Sequence, residues 1–106
     1  MKVLAVCQGG NSRSVTLAYL LKKRYRIDAL ACGYRDNSKE TLDLLFKWAD
    51  KIIIMREKFK GAIPEEFKDK VLICEVGRDK YLNLSKDLLN VCETFWQDYM
   101  KGVQHG

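Results

Sequence analysis

Short uninterrupted apolar runs alternate along the chain with longer stretches in which apolar residues recur every three or four positions. The first run, Val3-Leu4-Ala5-Val6 behind Lys2, predicts a strand over Lys2–Val6 buried on both faces. From about Ser14 the spacing becomes helical: Leu17, Leu20 and Leu21 share one stripe, with Tyr25 two turns beyond Leu17. Ile27–Cys32 reads as a second short strand ended by Gly33. Asn37 followed by Glu40 has the spacing of a capping box, and Leu42, Leu45, Phe46 and Ala49 fall on one helical face. Lys51–Met55 is a third, almost wholly apolar strand. Gly61 and Pro64 interrupt Arg56–Lys70, which predicts a short helix or turn on each side of them. Val71–Glu75 is the fourth strand and Gly77–Leu84 a loop. Ser85 caps a last helix whose apolar stripe is Leu88, Val91, Cys92, Phe95 and Tyr99, ending near Met100, with Gly102–Gly106 frayed.

Strands that alternate with helices predict an α/β fold: a four-stranded parallel sheet with right-handed crossovers and helices on both faces. A chain of 106 residues accommodates one core, so residues 1–106 are expected to form a single domain. In a parallel sheet the segments that follow the strands gather along one edge. That edge receives Cys7–Ser14, Tyr34–Asn37, Arg56 and Arg78–Tyr81, whereas Asp50 and Asp69 precede strands and fall at the opposite edge.

Composition narrows the chemistry. Apolar residues make up 47% of the chain and proline occurs once, which marks a globular protein. No apolar run approaches a membrane span, and the N-terminus lacks the pattern of a secretory signal. Cysteines 7, 32, 74 and 92 form no C-x-x-C pair and no metal-like spacing; they are expected to be reduced thiols in a cytoplasmic protein, with no metal. The lone histidine, His105, sits near the end of the chain, a poor place for the base of a Cys–His or Ser–His couple. The net charge of +5 owes much to Lys22-Lys23-Arg24-Tyr25-Arg26, where cations complement the end of a helix. Neither an aromatic-and-basic platform nor a recognition helix is present, so nucleic acid is not an expected partner; an anionic, phosphorylated substrate suits the charge.

The chemistry concentrates in Cys7-Gln8-Gly9-Gly10-Asn11-Ser12-Arg13-Ser14. A cysteine at the end of a buried strand leads through two glycines onto a helix start, where free N–H groups and the helix dipole favour an anion. Arg13 adds a planar fork suited to phosphate oxygens, and such a field favours the nucleophilic thiolate. Gln8, Gly9, Gly10, Asn11, Ser12, Arg13 and Ser14 are therefore the candidate phosphate-binding residues and Cys7 the candidate nucleophile. Cys32 and Cys74, in strands, and Cys92, on a core stripe, read as buried apolar residues. A leaving group departs more easily when an acid protonates it. Among acids at this edge Asp36 and Asp87 belong to helix starts, which leaves Asp79 as the candidate general acid.

The C-x5-R-S loop at Cys7–Ser14 directly after the first strand, Ala31-Cys32-Gly33, and Trp48-Ala49-Asp50-Lys51-Ile52-Ile53-Ile54-Met55 together resemble the low-molecular-weight protein tyrosine phosphatase superfamily, its short bacterial-type members above all. The resemblance covers residues 2–55 well and the rest loosely. It implies a flavodoxin-like three-layer αβα fold with strand order 2-1-3-4. It further implies hydrolysis of phosphate monoesters through a cysteinyl-phosphate, without cofactor, and a hydrogen bond from Ser14 to the thiolate. The expected partner is a phosphorylated substrate, a phosphotyrosyl protein or a small aryl phosphate. The chain departs from the family at Gly10, where asparagine is usual; at Ser12, where a second cysteine is common; and at Val15, where proline often stands. The aspartate-proline-tyrosine acid loop is absent as such, and Arg78-Asp79-Lys80-Tyr81 is its nearest counterpart. Two alternatives remain at this point: a phosphoryl-carrier domain of IIB type, which generally lacks the loop arginine, and a non-catalytic phosphate-binding module. Oligomeric state is not legible in the sequence.

Overall fold

The structure, a computed structural model, describes residues 1–9, 12–77 and 84–105, for 103–105 the backbone alone. Four strands, β1 (Lys2–Cys7), β2 (Asp28–Gly33), β3 (Lys51–Ile54) and β4 (Val71–Ile73), form one parallel sheet in the order β2-β1-β3-β4. This is the expected topology. The helices are α1 (Arg13–Tyr25), α2 (Lys39–Trp48) and α3 (Lys86–His105), with 3₁₀ turns at Glu57–Ala62 and Glu65–Lys70 on either side of Ile63-Pro64.

Val3, Leu4, Ala5 and Val6 in β1 and Ile52, Ile53 and Ile54 in β3 are wholly buried, because these central strands are covered on both faces. The crossover from β1 to β2 leads outwards and that from β2 to β3 leads back past β1, so right-handedness sends α1 and α2 to opposite faces. α3 joins α1: Tyr25 meets Trp96 with ring centroids 6.2 Å apart, and Arg24 pairs with Glu93 at 3.1 Å. On the other face Phe46 of α2 packs on Phe67 of the second 3₁₀ turn. Among the described residues no helix is long and apolar enough to cross a membrane.

Several local expectations are corrected. The N-cap of α2 is Ser38, whose Oγ accepts from Thr41 N at 3.2 Å; Asn37 instead donates to the Gly33 carbonyl at 2.7 Å, which fixes the turn leaving β2. β4 ends at Ile73, so Cys74 and Glu75 lie just beyond the strand, although Cys74 N still donates to Ile54 O at 2.9 Å. In α3 the buried row is Leu88, Cys92 and Trp96, at i, i+4 and i+8. Val91 lies at the solvent margin, because the helix meets α1 along the i+4 ridge. α3 also continues through Gly102 to His105 instead of fraying there. Asp50 is at the edge opposite the loops, as expected, and its carboxylate accepts from Lys2 N at 2.8 Å.

Candidate active site

β1 delivers Cys7 to the edge of the sheet where the strands end. Its partner across β2 is Gly33, and its carbonyl accepts from Tyr34 N at 3.1 Å. One residue on, Gln8 O accepts from Arg35 N at 3.1 Å. The turn after β2 is thus zipped onto the start of the Cys7 loop.

α1 opens at Arg13 with Ser12 at the N-cap; Ser12 O accepts from Thr16 N at 2.9 Å, and the Ser12 side chain makes no capping bond. The first turn of α1 holds no acidic residue, whereas α2 has Glu40 and α3 has Asp87 in theirs. Ser14 lies inside the helix, and its Oγ is 3.0 Å from Cys7 Sγ. That contact matches the bond implied by the family resemblance.

Among the described residues, the buried polar and charged side chains are Ser12, Arg13, Ser14 and Thr16, the N-cap and first turn of α1. Arg13 is only 2% exposed. Its Nη1 donates to Gly77 O at 3.0 Å, and its guanidinium carbon stands 5.2 Å from the centre of the Phe59 ring. Phe59 in turn takes the edge of Tyr34, with centroids 5.3 Å apart. Thr16 Oγ1 accepts from Leu84 N at 3.0 Å. Gly77 and Leu84 both have left-handed backbones, φ 75° and 59°, so the run after β4 begins and resumes in hydrogen-bonded contact with the first turn of α1.

The other cysteines sit in different surroundings. Burial, with a smaller push from Cys7, raises the Cys32 thiol to about 12. A hydrogen bond with Cys92, then burial, pushes Cys74 up as well. Both are held as neutral thiols, in keeping with core roles. Arg56, expected at this edge of the sheet, lies 3.7 Å from a Glu75 carboxylate oxygen. Gly10, Asn11, Asp79 and Tyr81 lie outside the described residues. Phe59, Gly77, Thr16 and Glu75 are additions that sequence reasoning missed: Phe59 and Gly77 meet Arg13 from far along the chain, Thr16 is tied to Leu84, and Glu75 bonds Gly77 and Glu57.

Together these features define an αβα sandwich with a buried cysteine at the end of its first strand and a buried arginine in the first turn of the helix that follows. Solved structures share its fold. Wzb of Vibrio vulnificus in complex with benzylphosphonate is 19% identical, over 95% of this chain and 97% of that one, with a TM-score of 0.71. The tyrosine phosphatase Wzb of Escherichia coli K30 in complex with phosphate is 13% identical, over 95% and 96%, with a TM-score of 0.72. The low molecular weight protein tyrosine phosphatase SP-PTP of Streptococcus pyogenes is 17% identical, over 94% and 91%, with a TM-score of 0.70. No family model and no curated protein sequence matches the chain. The fold is that of the low-molecular-weight protein tyrosine phosphatases, as the Cys7–Ser14 loop and its setting led us to expect.

Proposed function

We propose that the chain is a phosphate monoester hydrolase of tyrosine-phosphatase type that works through a cysteinyl-phosphate. One observation carries this: an almost fully buried arginine in the first turn of α1, one residue before a serine whose hydroxyl meets the strand-end cysteine at 3.0 Å. A cation at the positive end of a helix is unfavourable by about 0.3–1 kcal/mol, and an oxyanion bound opposite both reverses the sign. The phosphatase fold supports the same reading, as do the benzylphosphonate and phosphate held by two of its solved members.

In the proposed reaction the Cys7 thiolate, hydrogen-bonded by Ser14, attacks phosphorus while the bond to the leaving oxygen breaks. Arg13 and the N–H groups of Gln8–Ser14 hold the three equatorial oxygens. Asp79 donates its proton to the leaving oxygen; the same carboxylate then takes a proton from the water that hydrolyses the thiophosphate ester, which frees Cys7 and inorganic phosphate. For Asp79 the support is tethering. Gly77 O is bonded to Arg13, and two residues of chain span at most about 7 Å. The substrate class that fits is an aryl phosphate, on a protein or a small molecule, with Tyr34 and Arg35 on the turn beside the loop.

The test is hydrolysis of an aryl phosphate by the wild type, Cys7→Ser and Asp79→Ala. We expect turnover that vanadate blocks, that Cys7→Ser abolishes, and that Asp79→Ala slows most for poor leaving groups. A wild type that binds phosphate without turning over esters would assign the chain to the non-catalytic class.

A further inference from the structure

The Arg13 guanidinium is held by the carbonyl of Gly77 and the ring of Phe59, among others. They belong to different segments: Gly77 to the run after β4, Phe59 to the 3₁₀ turn Glu57–Ala62. A single side chain joins them. Glu75 Oε1 accepts from Glu57 N at 2.9 Å, and Glu75 Oε2 accepts from Gly77 N at 2.9 Å. The bond from Glu57, then the bond from Gly77 and the charges of Arg56 and Arg13, hold this carboxyl below the usual carboxylate range. It is therefore an ionised double acceptor at neutral pH.

We propose that Glu75 is a positioning residue of the phosphate site: by fixing Gly77 and the head of the Phe59 turn with one carboxylate, it sets the plane in which Arg13 presents its fork to phosphate. This rests on the phosphatase reading above, and Glu75 itself touches no substrate. Two features make the role specific. The two N–H groups need an acceptor on each side, which a carboxylate has and a carboxamide lacks. The left-handed Gly77 has its N–H on the Glu75 carboxylate and its carbonyl on Arg13, so a shift at one is passed to the other. The room beside Gly77 is open, with nothing within 4 Å of a Cβ placed there; its glycine serves the backbone conformation and not packing.

The experiment measures the affinity for inorganic phosphate by calorimetry, and kcat/KM for aryl phosphates with good and poor leaving groups. The proteins are the wild type, Glu75→Gln, Arg13→Lys, the double variant and Gly77→Ala. Misplacing a positioned group by about 1 Å can cost on the order of 10²-fold. We expect Glu75→Gln to weaken phosphate binding and to lower kcat/KM by about tenfold or more, equally for both leaving groups. Gly77→Ala should show the same pattern. Added to Arg13→Lys, which has no fork to aim, Glu75→Gln should change either quantity by less than about twofold. An equal loss in both backgrounds would show a general structural role and overturn the assignment, as would unaltered phosphate affinity in Glu75→Gln. A wild type that neither binds phosphate nor hydrolyses esters overturns the phosphatase reading and this assignment with it. Normal wild-type activity with a Glu75→Gln variant that binds and turns over like the wild type overturns the assignment alone.

Discussion

Cys7 and Cys32 stand on neighbouring strands at one edge of the sheet. Cys7 lies opposite Gly33 and Cys32 opposite Val6, and both are buried. Burial alone would leave two inert thiols. What separates them is the chain that follows each. After Cys7 comes the loop onto α1, with Ser14 Oγ at 3.0 Å and Arg13 in the first turn. After Cys32 comes a turn whose donors are spent on the other loop: Tyr34 N bonds Cys7 O, and Arg35 N bonds Gln8 O. On the proposed reading, one turn receives an anion and its neighbour braces it, so reactivity would belong to the donors downstream of a cysteine and not to its depth in the core.

The contrast breaks most readily at the nucleophile. On the proposed mechanism Cys7→Ser should lower aryl phosphate hydrolysis by about 10⁵-fold or more, the scale on which covalent enzymes lose rate with their nucleophile. Cys32→Ser should keep it within about twofold; parity between the two variants in a steady-state assay would erase the distinction. Arg13→Lys keeps the charge without the fork, and kcat/KM should fall by about 10²–10³-fold, as when an oxyanion donor is lost. Asp79→Ala should lower kcat by about 10²-fold for poor leaving groups and far less for good ones, visible as a steeper dependence of rate on leaving-group acidity. Iodoacetate at neutral pH should modify Cys7 ahead of Cys32, Cys74 and Cys92, and inorganic phosphate should protect it; peptide mass mapping reads the order.

The smallest effect concerns the inert thiol. Its folded value of about 12 exceeds the ordinary 9.0, so the unfolded chain loses this proton first as pH rises. The stability it contributes is complete below pH 9.0 and disappears towards about 12. Denaturant midpoints measured across that window should decline less steeply in Cys32→Ala than in the wild type.

Most of the fold was readable because its signals are local. An unbroken apolar run such as Ile52-Ile53-Ile54 and a helical stripe such as Leu17, Leu20 and Leu21 each announce an element within a dozen residues. The half of the site in Cys7–Ser14 was readable for the same reason. The other half is written across the chain: Arg13 meets Gly77 across 64 positions and Thr16 meets Leu84 across 68. Glu75 has no pattern around it that distinguishes it from a surface acid. At Trp96 the miss was one of phase, since a stripe drawn through Val91 and Phe95 and one through Cys92 and Trp96 differ by a single position. At Asn37 two adjacent residues both suit a cap, and only the bond from Asn37 to Gly33 separates them.

The two left-handed residues, Gly77 and Leu84, are moored three residues apart on α1, to Arg13 and Thr16. Whatever connects those moorings starts and finishes at fixed points, so its length is almost independent of the sheet. Doubling such a connection costs only about 0.6 kcal/mol in closure entropy. A longer link between the same two anchors should therefore leave the stability of the fold within about 1 kcal/mol, read as an almost unshifted denaturant midpoint.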